Sequence, residues 1–388
     1  MNHKNPLTLL FRLLSYLLTA VLCLSVGYSI RKPEILGSAK LVELSQLIEH
    51  SFIGDADPAL MEDGAAAGMV AALGDRWSYY IPASEYAAHM EQMENAYVGI
   101  GVTISAENIE QGFEVLQVEP GSGASAAGIR PGDYITHVEG QRVTELGIEE
   151  AKNRIRGDAD TQVTITVAQE GTSKELSVTR QLIQVEVAKG QLLEGGIGLV
   201  TINNFDDRCA EETIAAIEAV IAQGAQALVF DVRNNPGGYK HELVQVLDYL
   251  LPEGALFRSI SNTGKETVDE SDSKCLDMPM AVLVNENSYS AAEFFAAALE
   301  EYDWAVTVGN PTVGKSYFQQ TLQLSDGSAV GLSVGKYCTP KGVSLAEVGG
   351  LVPNIPVEID AETAANIYSD LLPPEEDPQI QAAVAAIG

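Results

Sequence analysis

An α/β core with a mainly parallel sheet, preceded by a β-rich domain and a small helical segment, is the architecture that this 388-residue chain predicts. Three observations carry the expectation. From about residue 190, apolar strand-like runs alternate with helical stretches, the pattern of successive βα units sharing one sheet. Between about 96 and 183, short segments alternate apolar and polar residues and are separated by turn clusters. Between Lys40 and Asn95, the apolar residues Leu41, Leu44 and Ile48, then Leu60, Met61 and Met69, recur at helical spacing.

The first element is a basic, apolar leader. Lys4, Arg12, Arg31 and Lys32 are the only charged residues among the first 32, and Leu13 to Ile30 is interrupted only by Ser, Thr, Tyr and Gly. That run is about long enough to cross a bilayer, so residues 1–32 read as a signal-anchor or transmembrane segment. The rest of the chain is then expected outside the cytoplasm, at the cell surface or in the periplasm, and secreted if the leader is instead a cleaved signal peptide. Leu22 before Cys23 is too large for a typical lipoprotein site.

Residues 33–95 form the helical segment. Asp57-Pro58 suits the start of its second helix, and a third is expected over Glu85 to Glu94, followed by a strand in YVGIGVTI. The β-rich section, 96–183, includes FEVLQV and QVTITVAQ and centres on EPGSGASAAGIRPGDYITHVEGQRV. A strand leads to a Gly/Ser/Ala helix start, then to the AGIRPGD turn from Ala127 to Asp133, then to a strand reaching Glu139-Gly140. In that order and spacing the section resembles a PDZ domain. The resemblance implies binding of an extended peptide along a sheet edge, with Tyr97, Val98, Gly99, Ile100 and Gly101 as carboxylate-loop and edge-strand candidates.

The core, 184–360, reads as GIGLVTI, a helix from Cys209 to Gln223, ALVFDVR, a helix from Tyr239 to Leu251, MAVLV, a helix from Ala291 to Tyr302, and WAVTVG. The remaining 361–388 are acidic, proline-containing and Ala-rich, and are expected to form a surface helix and a loose end.

Composition narrows the function. With 46% hydrophobic residues the chain can bury a large core, and a formal charge of -31 disfavours any polyanion such as nucleic acid. Beyond the leader, 19 basic residues face 54 acidic ones. Cys209, Cys275 and Cys338 are widely spaced with no CxxC pair, and the five histidines have no HExxH-type spacing. A disulfide framework and a zinc site are therefore not expected, and the serine–lysine chemistry read below requires no metal or cofactor.

The chemistry concentrates in two Gly- and Ser-rich turns. Ser290 lies where the apolar strand Met280 to Val284 runs through a loop into a helical stretch. A helix start offers free N–H groups and the positive end of the macrodipole, which stabilise a developing oxyanion. Lys315 follows 25 residues later, with Gln319 four residues beyond. A lysine serves as a base only when neutral, and from Trp304 to Ser325 Lys315 is the only charged residue. Taken locally, Ser290 reads equally well as a helix cap, and Lys315 and Gln319 as surface residues.

The ordered set ALMEDGAAAGMVAALGDRWSYY, the PDZ-like motif, FDVRNNPGGY, VLVNENSYSAAE, VGNPTVGKSYFQ and YCTPKGVSLAEVGGLVPNIPVEI resembles the carboxyl-terminal processing proteases, PDZ-containing serine peptidases of family S41 with a Ser-Lys dyad. The resemblance covers nearly everything after the leader. It implies an α/β protease core, Ser290 as nucleophile, Lys315 as general base and Gln319 orienting the lysine. It also implies an oxyanion hole from the backbone N–H groups of Gly238 and Ala291, where Gly237 and Gly238 let the main chain approach a substrate carbonyl. Ser288 competes with Ser290, which is preferred for its distance to the lysine and its place at the helix start.

The implied activity is endopeptidase cleavage of exported proteins recognised through their C-terminal region, with protein or peptide substrates and a second copy of the chain, in a homo-oligomer, as candidate partners. Three positions depart from the family pattern: Tyr289 beside the nucleophile, Ala292 for a serine and Ser316 for a glycine. Arg156 could couple peptide binding to the core. The rival function is a PDZ scaffold or sensor whose core no longer cuts. An α/β hydrolase is disfavoured because the chain lacks a GxSxG elbow and a suitably placed histidine.

Overall fold

The computed structural model describes residues 38–388 except 170 and 370. The expected membrane segment lies outside the described residues, and among those residues no helix is long and apolar enough to cross a membrane. The chain divides into two units at Gly68/Met69. The first contains helix α1, Ser38–Ser51, and most of α2, Pro58–Ala71. Asp57 Oδ1 accepts the Ala59 N–H at 2.9 Å, so the Asp57-Pro58 start works as a helix cap.

The second unit opens with β1 (Tyr79–Ile81), α3 (Ala83–Met93) and β2 (Ala96–Gly99). The YVGIGVTI run is therefore two strands rather than one. It breaks at Gly101, whose φ of +79° few other residues adopt, and where a Cβ would lie 2.3 Å from that of Ser122. The second strand, β3 (Val102–Ser105), begins an antiparallel sheet with β4 (Phe113–Val118), β5 (Tyr134–Val138), β7 (Gln162–Gln169) and β8 (Thr172–Thr179), and the short β6 (Gln141–Arg142) pairs with β5. Helices α4 (Gly123–Ala126), α5 (Val143–Leu146) and α6 (Ile148–Ile155) complete this domain around Phe113, Val115, Ile135, Val138 and Ile165. The AGIRPGD turn is closed by Asp133, whose Oδ2 accepts the Arg130 N–H at 2.8 Å and the Gln169 side-chain amide at 2.6 Å.

Strand β9 (Gln181–Gln184) returns to pair with β2 in a two-stranded sheet, which leaves the other side of β2, with Tyr97 and Val98, unpaired. The domain's larger antiparallel sheet has a further free edge at β3, which pairs only with β4.

The core sheet runs β10 (Ala188–Leu193), β11 (Ile197–Ile202), β12 (Ala227–Asp231), β15 (Met280–Val284), β16 (Ala305–Gly309) and β19 (Ile355–Pro356). Its β10–β11 pairing is antiparallel and the other four are parallel. Helices α7 (Cys209–Ala222), α8 (Lys240–Leu250) and α9 (Ala291–Glu301) pack on one face, where Phe295 meets Phe205 and Phe230 at ring-centroid distances of 5.7 and 5.3 Å.

A second, antiparallel sheet was not foreseen from the sequence. It comprises β13 (Gly254–Ser261), β14 (Glu266–Ser271), β17 (Tyr317–Gln323) and β18 (Ala329–Cys338), with β1 paired to β18. Tyr79–Ile81, placed by sequence in the helical segment, thus belongs to this sheet.

Helix α10 (Leu345–Val348) precedes β19, and the tail forms α11 (Ala361–Tyr368) and α12 (Pro378–Ile387). The expected loose end is in fact packed: Ile380 and Ala383 are buried with Val229, Ala281 and Leu283 on the second face of the parallel sheet. Residues 380, 383, 384 and 387 are apolar, the i, i+3, i+4, i+7 spacing of a helix that buries one face.

Candidate active site

Ser290 is the residue immediately before α9, 8% exposed, with φ +58° and ψ -126°. A non-glycine residue in this region carries backbone strain, which the surrounding structure must hold. Two turns do so. Tyr289 N–H donates to Asn235 O at 3.1 Å, Asn234 N–H donates to Asn285 Oδ1 at 2.9 Å, and the Asn285 amide donates to Asn234 Oδ1 at 2.9 Å. The NNPGG turn after β12 and the serine loop after β15 are therefore laced together at the carboxyl ends of adjacent parallel strands, where such sheets collect their sites.

Ser288 is fully buried, and its hydroxyl donates to Val232 O at 2.7 Å while accepting the Asn285 N–H at 3.0 Å. It fastens the loop, and Ser290 is the serine left at the helix start.

Gly237 and Gly238 stand against this turn. A Cβ on Gly237 would come within 2.7 Å of the Ser290 Cβ and 2.9 Å of Ala291 N, and one on Gly238 within 2.2 Å of the Phe205 carbonyl carbon. Phe205 N–H donates to Gly237 O and Tyr239 N–H to Phe205 O, both at 2.7 Å, which pins the glycines to the 203–206 loop. The Gly237 N–H is taken by Asn235 Oδ1 at 2.8 Å. Among the described residues the Gly238 N–H has no protein acceptor, and Ala291 is the first residue of α9, where the N–H has no intrahelical partner.

Glu293 joins the two candidate turns, and sequence reasoning missed it. Its side chain is fully buried. One oxygen, Oε2, accepts the N–H groups of Ser290 at 2.9 Å and Lys315 at 2.8 Å. The other accepts the Gly314 N–H at 2.6 Å and the Thr312 hydroxyl. Burial pushes this carboxyl up from its ordinary range, and the four donors pull it back toward the ionised form. The signal was available: Ser290 and Glu293 form an S-x-x-E pattern ahead of an apolar run, the sequence mark of a capped helix start.

Lys315 is half-buried and precedes β17. Burial lowers its pKa from the ordinary value, the carboxylates of Glu293 and Asp75 oppose that shift, and Arg76 adds to it. Its Nζ lies 4.8 Å from the ring centroid of Trp77 and 5.6 Å from that of Tyr289, and these rings stack on each other at 6.1 Å. Gln319 does not reach the lysine: its amide donates to Tyr317 O at 3.1 Å and Ser333 Oγ at 3.0 Å. Ser316, one of the departures from the family pattern, is buried and accepts the Ala346 N–H at 2.9 Å, so it anchors the lysine turn to α10.

Asp206 adjoins Gly238 and is 7% exposed; its Oδ1 is buried without a hydrogen-bond partner. Burial, reinforced by the charges of Asp207 and Glu242, pushes its pKa up to about 7. Asp207, His241 and Glu242 bring ligand-capable atoms within 4.8 Å of one another, a grouping that histidine spacing did not reveal. Glu242 Oε2 accepts the Ala210 N–H at 2.6 Å, a purely structural use. Of the cysteines, Cys209 and Cys338 are buried, and burial pushes both thiols up; Cys275 is exposed.

In the β-rich domain, Tyr97, Gly99, Ile100 and Gly101 line one cleft together with Ile155 and Arg156, whereas Val98 does not line it. Arg156 bonds Glu91 at 3.2 Å and lies 5.4 Å from the Tyr97 ring centroid.

An α/β core with a strained serine at a helix start, together with a separate antiparallel β domain, is the arrangement of a serine-type peptidase that carries a PDZ domain. Residues 196–357 match peptidase family S41 and residues 114–169 match the PDZ domain. The chain belongs to family S41 and, within it, to the CtpA-like carboxy-terminal processing proteases. It is 30% identical over 325 residues to the carboxy-terminal processing protease CtpA of Bacillus subtilis, covering 82% of this chain and 69% of that protein. It is 29% identical over 332 residues to a CtpA-like serine protease of Staphylococcus aureus, covering 84% and 66%. The chain thus spans about two thirds of the length of these relatives. An S41 protease structure from Bacteroides fragilis shares the fold at a TM-score of 0.52 and 16% identity, over 92% of this chain and 98% of that one. The photosystem II D1 C-terminal processing protease is 27% identical, over 82% of this chain and 86% of that one, at a TM-score of 0.48.

Proposed function

We propose that the chain is an endopeptidase that cuts exported proteins by Ser290–Lys315 acyl-enzyme chemistry, recognising their C-terminal region through the PDZ domain. Neutral Lys315 takes the Ser290 hydroxyl proton as Oγ bonds to the substrate carbonyl carbon. The oxyanion is met by the N–H groups of Gly238 and Ala291. The lysine returns its proton to the departing amine, and water then hydrolyses the ester. The observation that carries this reading is Glu293, which holds the backbone of both Ser290 and Lys315 through one carboxylate oxygen. Gln319 would orient the lysine through its side-chain oxygen, since its NH2 is taken by Tyr317 O and Ser333 Oγ.

The PDZ cleft between β3 and α6 would take an extended peptide end. Anchoring through residues 1–32 with the catalytic part outside the cytoplasm, and self-association, belong to the same proposal. Ser290→Ala and Lys315→Ala should each abolish cleavage of an unfolded test protein, and full activity in either variant would end the dyad assignment.

A second reading, a PDZ scaffold without cleavage, is favoured by one observation: Lys315 Nζ lies against two aromatic rings and has no hydrogen bond to Ser290. A fluorophosphonate probe separates the readings, because only a reactive Ser290 is labelled.

A further inference from the structure

Trp77 belongs to two places at once. Its ring faces Lys315 Nζ and stacks on Tyr289, the residue before the nucleophile. It also forms part of the wall of an open groove of about 930 Å³, between the 73–78 turn and β13 and β18, with Leu73, Ile260, Tyr317 and Leu332 among its apolar lining. The turn is held rather than loose: Asp75 accepts the Trp77 N–H at 3.1 Å and the Ser78 hydroxyl at 2.6 Å, and Ser78 Oγ accepts the Ser333 N–H at 3.1 Å. Arg76 covers the Trp77 ring at 4.2 Å. Among the described residues Lys315 Nζ has no hydrogen-bond or ion-pair partner, and so the rings are its immediate neighbours.

A cation at these distances is attracted to the electron-rich ring faces, and a lysine engaged there is not engaged with Ser290 Oγ. We infer that Trp77, with Tyr289, is a positioning residue that holds Lys315 away from Ser290 at rest, and that a substrate segment filling the groove against Trp77 releases the lysine for proton transfer. The inference rests on the Ser290–Lys315 reading above. It names an extended stretch of polypeptide with apolar side chains as the groove's occupant, because the groove is open, its wall sets Leu73, Trp77, Ile260 and Leu332 beside the charged Asp75, Arg76 and Lys336, and Trp77 in that wall also faces Lys315.

The test compares a small probe with a large substrate on the full chain. A fluorophosphonate reacts with Ser290 without filling the groove. In Trp77→Ala its labelling should be faster than in the parent by roughly three- to ten-fold, the scale of a ring–cation contact. Cleavage of an unfolded protein should move the opposite way, with KM raised and kcat/KM reduced, because the groove wall is lost. Trp77→Phe, which keeps a ring, should restore both toward the parent.

Parallel movement of the two rates in Trp77→Ala, or unchanged labelling, overturns the inference. Should Trp77→Ala fail to fold, emission decides. The chain has only two tryptophans, so Trp304→Phe isolates Trp77. In Ser290→Ala/Trp304→Phe, binding of the unfolded protein should shift the Trp77 emission, and an unchanged spectrum at saturation overturns the inference as well. Lys315→Ala controls for the underlying reading: if it labels at the parental rate, the dyad assignment itself fails, a result distinct from either outcome at Trp77.

Discussion

Glu293 Oε2 accepts the backbone N–H of Lys315 at 2.8 Å while accepting that of Ser290 at 2.9 Å, so a side chain that needs no contact with substrate sets the relation between two turns 25 residues apart. Removing it in Glu293→Ala strands three N–H groups and the Thr312 hydroxyl. At about 1 to 3 kcal/mol for each buried group left unpaired, partly relieved by water, the loss should be roughly 3 to 5 kcal/mol. Denaturant melts should show that loss, and cleavage should vanish. Glu293→Gln should also fail, because its amide NH2 meets N–H donors where an oxygen stood.

Gly237→Ala and Gly238→Ala test the candidate oxyanion loop. Gly238 has φ +150°, and a methyl there meets the Phe205 carbonyl, which is backbone and cannot turn aside. Gly237→Ala would press on Ser290 and Ala291 directly. Each should lower kcat at least a hundred-fold, the scale of losing one oxyanion donor, with the far-UV circular dichroism retained.

The two serines of the SYS run should separate cleanly. Ser290→Ala should keep the parental melting temperature and lose activity. Ser288→Ala should lose about 1 to 2 kcal/mol of stability with the Val232 carbonyl bond, and keep part of its activity.

As the proposed base, Lys315 should make activity rise with pH. Burial lowers its pKa, so the acid limb of kcat/KM should have its midpoint below 10.5, the ordinary lysine value, with activity gained as pH rises through it. A profile flat across that limb would exclude Lys315 as the base.

Asp206 makes stability fall with pH. Its folded pKa of about 7 exceeds the ordinary 3.8, so between those values the folded chain binds a proton that the unfolded chain has lost. Stability should decline from about pH 4 to pH 7, by at most about 4 kcal/mol. Asp206→Asn should flatten this slope and be the more stable chain at pH 8, as read from urea midpoints.

The sequence was most legible where chemistry demands a local arrangement. Ser290 and Gly238 sit in turns whose glycines and serines announce them, and β11, β12, β15 and β16 are mostly apolar without alternation because both faces of that sheet are covered. The antiparallel sheet escaped notice because strands such as β17 are exposed along most of their length and give no alternation to read. Trp77 escaped for a different reason: nothing local ties a turn after a helical segment to a lysine far along the chain. Gln319 bonds Ser333, a pairing set by the fold of the antiparallel sheet and not by its neighbours in sequence. The tail misled through composition, its acids and alanines masking four apolar positions that α12 turns inward.

That tail bears on how the molecule is made. Arg233, two residues before Asn235, bonds Asp231 at 2.6 Å and Asp377 at 2.8 Å, and Asp377 caps α12 by accepting the N–H groups of Gln379 at 2.8 Å and Ile380 at 3.3 Å. The turn behind Gly238 is thus braced by a segment that leaves the ribosome after Ser290, Lys315 and the rest of the core. During synthesis Ser290 and Lys315 exist before this brace arrives, and the sheet face that α12 covers stays bare until that last helix docks.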